Sequence, residues 1–353
     1  MLVNVDWRAH LLDVGAVVQG DRIESFGDPQ QEIQATAITD IVADLSSFSL
    51  IRVYGDDATT FLQGQLTNDI RLVDESHSQL SAYCNPKGRM LSVFRILMQD
   101  EHYLLQLPAP LLDTTLTRLR MYLLRADVKL VSADEELQRI GVAGPKAAAI
   151  IDRQLGIVPE DDMACIAEGD LTVLRLPGIR PRFEIITTLA TAKRLWDELG
   201  QDCRPVGTPA WAWLDIMAGL PNVYRETSEA FIPQMANLEI LGGVSFGKGC
   251  YTGQEIVARM QYLGKLKQRM YRAHVFTTQQ VPRPGDAIHT PGLPGQTVGT
   301  VVDARCSPES GYDMLAVIYK SSIQEGSLYL SGDQEARLSI EDLPYSLDDL
   351  VRQ

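Results

Sequence analysis

The order of apolar and polar positions divides the chain into stretches of different character. Residues 1–45 carry Asp13, Asp21, Glu24, Asp28, Glu32, Asp40 and Asp44 with no sustained apolar period, which predicts a partly irregular lead-in segment. The first clear element is the run Phe48–Tyr54, a strand closed by Gly55 and followed by a helix over 57–66. Strands over 78–83 and 90–98 flank Asn85-Pro86-Lys87-Gly88, whose Asn-Pro and Lys-Gly pairs favour a tight hairpin. From 113 to 125, Leu116, Leu119 and Leu123, with the neighbouring Tyr122, recur at helical spacing.

The alternation continues with strands over 128–131 and 137–144. Pro145 then opens a helix over 146–155, and Gly156 stands just past its end. Residues 171–176 and 183–187 read as a strand pair around Pro177-Gly178, Thr191 as the cap of a helix over 192–199, and 211–220 as a short aromatic-rich helix. After Gly264 the character changes. Short runs at 270–275, 297–304, 313–319, 328–330 and 336–340 are separated by turns containing Pro and Gly, with no helical window. This spacing predicts a C-terminal β-barrel behind an α+β part. The expected division is 1–135, an N-terminal segment with a first α+β lobe; 136–264, a second α+β lobe; and 265–353, the barrel.

Composition narrows the functional classes. With 353 residues and 45% hydrophobic content, the chain is expected to be a soluble globular protein of two or three domains. No run approaches the length of a membrane span, and the stretch from Met1 to Arg8 has neither a basic nor an apolar leader region, so a cytoplasmic location is expected. The five cysteines, Cys84, Cys165, Cys203, Cys250 and Cys306, are scattered without CxxC spacing and read as reduced thiols. The five histidines lack metal-ligand spacing, so no metal site is expected. There is no Walker loop, Gly-x-Ser-x-Gly elbow or complete Gly-x-Gly-x-x-Gly fingerprint. A net charge of −14 argues against strong direct nucleic-acid binding. Against that acidic background, residues 256–285 hold Arg259, Lys265, Lys267, Arg269, Arg272 and Arg283 and no acid. The strip reads either as a solvated face answered by acids from elsewhere or as a holder of acidic groups.

One stretch concentrates chemistry: Lys248-Gly249-Cys250-Tyr251-Thr252-Gly253-Gln254-Glu255. Glycines 249 and 253 permit close backbone approach or positive φ, and Lys248, two residues before the sulfur, would favour a thiolate at Cys250. By residue type alone, a small buried cysteine in a tight turn before a helix over 254–260 accounts for the same residues.

The spelling of this stretch resembles the signature of the YgfZ family. Further segments in the same order resemble that family too: 63–70 (Gln-Gly-Gln-Leu-Thr-Asn-Asp-Ile), 84–90 (Cys-Asn-Pro-Lys-Gly-Arg-Met), 231–234, 237–238, 242–246 and the tail at 343–347. The resemblance implies an α+β, T-protein-like fold, with two α+β lobes and a C-terminal β-barrel around a central channel that accepts tetrahydrofolate or a derivative. It implies aromatic stacking on the pterin by Phe48, where the family has a tryptophan, and by Trp211; an ordinary core role for Phe48, with Trp213 as the stacking ring, is the other reading. The aminomethyltransferase T-protein has an acid just after its counterpart of the Lys87-Gly88 hairpin, where this chain has Leu91-Ser92. This chain also lacks a glutamate common on the folate-facing helix, Met217 standing there with Asp215 nearby. Without the first carboxylate, proton handling during carbon transfer loses its group.

The implied function is a folate-binding accessory factor supporting iron–sulfur cluster assembly or repair in client enzymes, among them tRNA-modifying ones such as tRNA methylthiotransferase. It is not itself a transferase, and Cys250 is its redox or iron–sulfur-related thiol. The alternative is a T-protein-like, folate-dependent one-carbon (aminomethyl) transferase.

Overall fold

A computed structural model describes residues 4–277, 280–293 and 295–347. The first three residues of the N-terminal stretch read above, and 348–353 of the barrel range, lie outside these. Contacts divide the chain into two units, one of 1–61, 71–79 and 95–214, the other of 62–70, 80–94 and 215–353.

The first unit contains a six-stranded sheet in the order Cys165–Glu168, Leu171–Arg175, Arg182–Thr188, Leu137–Ala143, Ile41–Asp44, Arg204–Val206. All its pairings are antiparallel except the last, in which Arg204 lies beside Ile41 in parallel register. Its core gathers Trp7, Leu11, Val42, Ile140, Val142, Phe183, Ile185 and Trp196. Trp7 is closed in completely, and its indole N–H donates to Asp44 at 2.8 Å. A second, five-stranded sheet runs Gln79–Cys84, Met90–Gln99, His102–Pro108, Phe48–Tyr54, Lys129–Ser132. Its first hairpin, over 80–94, groups with the second unit.

The lead-in segment is more ordered than its polar composition predicts. Helices Val5–Asp13 and Pro29–Ile38 are capped by Asn4 and Asp28, each of which accepts two backbone N–H groups. Strand Ile41–Asp44 takes an inner place in the six-stranded sheet. The predicted Thr191 cap is also corrected: the helix begins at Leu189 behind Thr188, and the hydroxyls of Thr188 and Thr191 donate to Asp170 at 2.6 and 2.7 Å. Asp170, in the turn between Cys165–Glu168 and Leu171–Arg175, is the acceptor that takes both hydroxyls. Gly156 ends helix Ala147–Leu155 at φ 72°, as its place in the sequence requires.

The second unit contains the expected barrel, closed in the order Gln268–Val275, Tyr312–Tyr319, Gly299–Cys306, Ala287–His289, Tyr329–Leu330, Asp333–Glu341. Closure is antiparallel, Arg272 facing Glu341 and Val275 facing Leu338. Ala273, Val275, Ile288, Val301, Met314, Ala316, Ile318 and Leu338 fill its interior. Among the described residues, no helix is long and apolar enough to cross a membrane.

Candidate functional site

Three segments that are far apart in sequence meet within the second unit: 63–70, the 84–89 hairpin and the Cys250 stretch. Lys248 forms the first junction. Its side chain is buried, and its ammonium donates to the carbonyls of Leu66 at 2.6 Å and Asn68 at 2.8 Å. It also lies 5.3 Å from the centre of the Tyr251 ring. Thr67 and Asn68 reinforce the junction through Oγ1 to the Gly243 carbonyl and Nδ2 to the Gly242 carbonyl, both at 2.7 Å. The Lys248 ammonium thus caps two carbonyls contributed from some 180 residues earlier.

The hairpin makes the second junction. The Asn85 side chain accepts from the backbone N–H groups of Lys87 and Arg89 and donates to Glu229 at 3.1 Å, while Met90 and Phe231 share a backbone bond of 2.8 Å. Gly253, at φ 85°, starts helix Gln254–Tyr262 against this turn. A Cβ there would lie 2.4 Å from the Asn85 carbonyl oxygen, and one on Gly88 would lie 3.0 Å from the Ile256 side chain. Gly249 meets no such constraint, since space for a Cβ is open.

Cys250 is exposed between these anchors, as is Cys306, whereas Cys84, Cys165 and Cys203 are buried. Burial pushes the Cys84 thiol well up, Cys165 to about 11 and Cys203 to about 12, which leaves all three neutral. The buried-cysteine reading therefore fails for Cys250 on exposure. Tyr251 is buried beside Cys84, its phenol pushed up by desolvation. Thr252 is half-buried, and Gln254 N–H closes the turn onto the Tyr251 carbonyl. Glu255 is exposed and pairs with Arg259 one helical turn on, a surface pair worth about 0.3–0.5 kcal/mol.

The basic strip divides. Arg269 is buried, donating to Glu239 at 2.5 Å and to the Gln234 carbonyl at 3.1 Å. Burial pushes the Glu239 carboxyl upward against the opposing pull of that guanidinium. Arg272 reaches the Asp342 carbonyl at 2.9 Å, and Lys265, Lys267 and Arg283 are exposed. The sequence reading missed the Glu239–Arg269 pair, for which no local spacing signals a partner.

The aromatic candidates belong to the first unit. Phe48 is half-buried at the start of its strand, opposite Pro108. Trp211 is 2% exposed and lies over Gly141, where a Cβ would come within 2.6 Å of the ring; the Arg182 guanidinium is 5.9 Å from its centre. Trp213 is also buried. The cavity beside Arg182 and Leu214, about 10 Å³, has room for at most one water. For a pterin, then, Phe48 offers a partly open ring, and Trp211 offers a wall rather than an open face.

The positions that depart from the transferase pattern are apolar or occupied. Leu91 and Ser92 are both buried, and the Ser228 hydroxyl donates to the Leu91 carbonyl at 3.5 Å. Met217 sulfur lies 3.5 Å from Arg272. Asp215 is buried, and its charge acts on Tyr224, Asp303 and Arg305, in which the Tyr224 hydroxyl donates to Asp303 at 2.5 Å. Among the described residues, no three His, Cys, Asp or Glu side chains are grouped to hold a metal ion.

The chain matches the family model of the GCVT N-terminal domain over residues 15–245. It is 32% identical over 322 residues to the tRNA-modifying protein YgfZ of Enterobacter sp. (strain 638) and 31% identical to that of Klebsiella pneumoniae (strain 342), in each case over 91% of this chain and 98% of the relative. Its fold is that of the glycine cleavage system aminomethyltransferase T from Bartonella henselae, with a TM-score of 0.80, 18% identity and 98% of both chains covered.

Proposed function

Because the chain belongs to the YgfZ family, whose curated members are named as tRNA-modifying proteins, we propose that it is a folate-binding accessory factor that keeps iron–sulfur client enzymes working, tRNA methylthiotransferase among them, without transferring a one-carbon unit itself. The observation that carries this reading is the exposed Cys250 thiol, held in a loop that Lys248 and Gly253 pin at both ends. A thiol so presented can bind iron or exchange with another sulfur once deprotonated. Leu91 and Ser92 support the absence of transfer, since neither can hold or move a proton at a folate nitrogen as a carboxylate would. Tetrahydrofolate, when bound, would find apolar surface at the half-buried Phe48, with the buried Trp211 behind the site rather than stacked on the pterin.

The test is a titration of the purified full chain with tetrahydrofolate, following tryptophan emission and melting temperature, with a one-carbon transfer assay on the same sample. The expected result is a saturable change in both signals and no turnover. Unchanged signals, or transfer at enzymatic rates, would remove the reading.

A further inference from the structure

We propose that the end of the Cys250 helix and the loop after it, residues 262–267, form together with Phe246 a docking surface for an acidic protein partner; this rests on the accessory-factor reading and gives that partner a place to bind. Tyr262 is 69% exposed and Leu263 85%. A single exposed apolar side chain needs no explanation. These two are adjacent, and the loop that carries them is built. The backbone N–H groups of Leu263 and Gly264 both donate to the Arg259 carbonyl at 2.9 Å. Gly264 presses on the helix so closely that a Cβ would lie 2.7 Å from the Met260 sulfur and 2.9 Å from its Cα. Leu263 is thus held outward by a clamped turn, and little ordering entropy is lost when a partner covers it.

An aromatic pair braces the same face. Phe246, before the Cys250 loop, meets Tyr262, near the end of its helix, edge to face with centroids 6.0 Å apart. Rings from both ends of the 247–261 stretch therefore bracket the exposed thiol in sequence. Lys265 and Lys267 follow, both exposed and without an ion pair among the described residues, in a chain of net charge −14. Arg259 is already answered by Glu255.

The combination selects its occupant. Two unanswered ammonium groups beside an aliphatic side chain and a paired ring suit a protein face that places carboxylates next to an apolar recess. A nucleic acid fits less well: two lysines neutralise few phosphates, and the net charge of −14 repels a polyanion.

Binding of purified tRNA methylthiotransferase to the full chain, measured at about 50 and 300 mM salt, tests the surface against three variants: Leu263→Ser, Tyr262→Ser, and the double Lys265→Glu/Lys267→Glu. Each is expected to bind at least about tenfold more weakly than wild type, with wild-type affinity falling as salt rises, and with melting temperature and tetrahydrofolate titration unaltered. If the wild type binds and every variant binds equally, the surface is overturned while the client reading stands. If the wild type binds no client, the client reading falls and the surface with it. Variants that lose affinity for tRNA but not for the methylthiotransferase would make the face an RNA contact and overturn the proposal.

Discussion

Gly253 stands so close to Asn85 that a side chain on the glycine would enter the space of the asparagine carbonyl oxygen, 2.4 Å from a built Cβ. With φ at 85°, the position also lies where an L side chain strains the backbone. The neighbouring Gly88 Cα, 2.9 Å away, is backbone as well, so no side chain can swing aside to relieve the clash. The second glycine of the Cys250 stretch is therefore the point at which this loop and the 84–89 hairpin are fitted together.

Gly253→Ala is expected to cost about 2–3 kcal/mol of folding stability, measured by urea unfolding. Gly249→Ala, where the space is open, should change stability by no more than about 0.5 kcal/mol. Equal effects of the two would contradict the fitted junction.

The thiols should separate by accessibility. N-ethylmaleimide at pH 8 is expected to modify Cys250 and Cys306, which are exposed, before the buried Cys84, Cys165 and Cys203. For the buried three, exclusion of solvent and thiol values raised to about 11 at Cys165 and about 12 at Cys203 act in the same direction. Peptide mass spectrometry over a time course reads the order, and early labelling of Cys84 in the native protein would contradict it.

Much of this was legible in the sequence where local chemistry decides. Gly156 after a helical run, the Asn-Pro and Lys-Gly hairpin, and the Pro- and Gly-spaced short strands after 264 each fix backbone without distant help. The 1–45 segment was not legible, because its helices hide their buried face. Val5–Asp13 buries only Trp7 and Leu11, and Pro29–Ile38 buries Glu32 and Thr36 beside Ile33 and Ala35, so neither shows a clean apolar stripe. Glu32 is drawn in by backbone partners, accepting from Phe26 N–H at 2.7 Å and Gly207 N–H at 2.8 Å. At the candidate site the segments were visible as separate motifs. What joins them was not visible, since Lys248 is claimed by carbonyls some 180 residues away and Arg269 by Glu239.

Asp44 gives stability a pH dependence. It is fully buried and accepts from Trp7 Nε1 and from the Ser46 hydroxyl and N–H, yet burial holds its carboxyl above the ordinary aspartate range. A raised acid binds its proton more tightly when folded, so its stabilising contribution is full below the unfolded value and is lost as pH rises through the folded one. Asp44→Asn keeps an oxygen for Trp7 and removes the titration. The stability of wild type relative to this variant is expected to fall in urea unfolding as pH rises above the ordinary aspartate range, and a constant difference would contradict the assignment.

The central claim, that the thiol held out between Lys248 and Gly253 is what the fold exists to present, is tested most directly by one measurement: tRNA methylthiolation in cells that lack the native protein and express Cys250→Ala. Because Cys250 is exposed, the variant should fold with nearly normal stability and still bind tetrahydrofolate, so its expression can be matched to wild type. The predicted result is methylthiolation restored by the wild-type chain and left at the level of the empty strain by Cys250→Ala. Full restoration by Cys250→Ala would make the thiol dispensable and contradict the account.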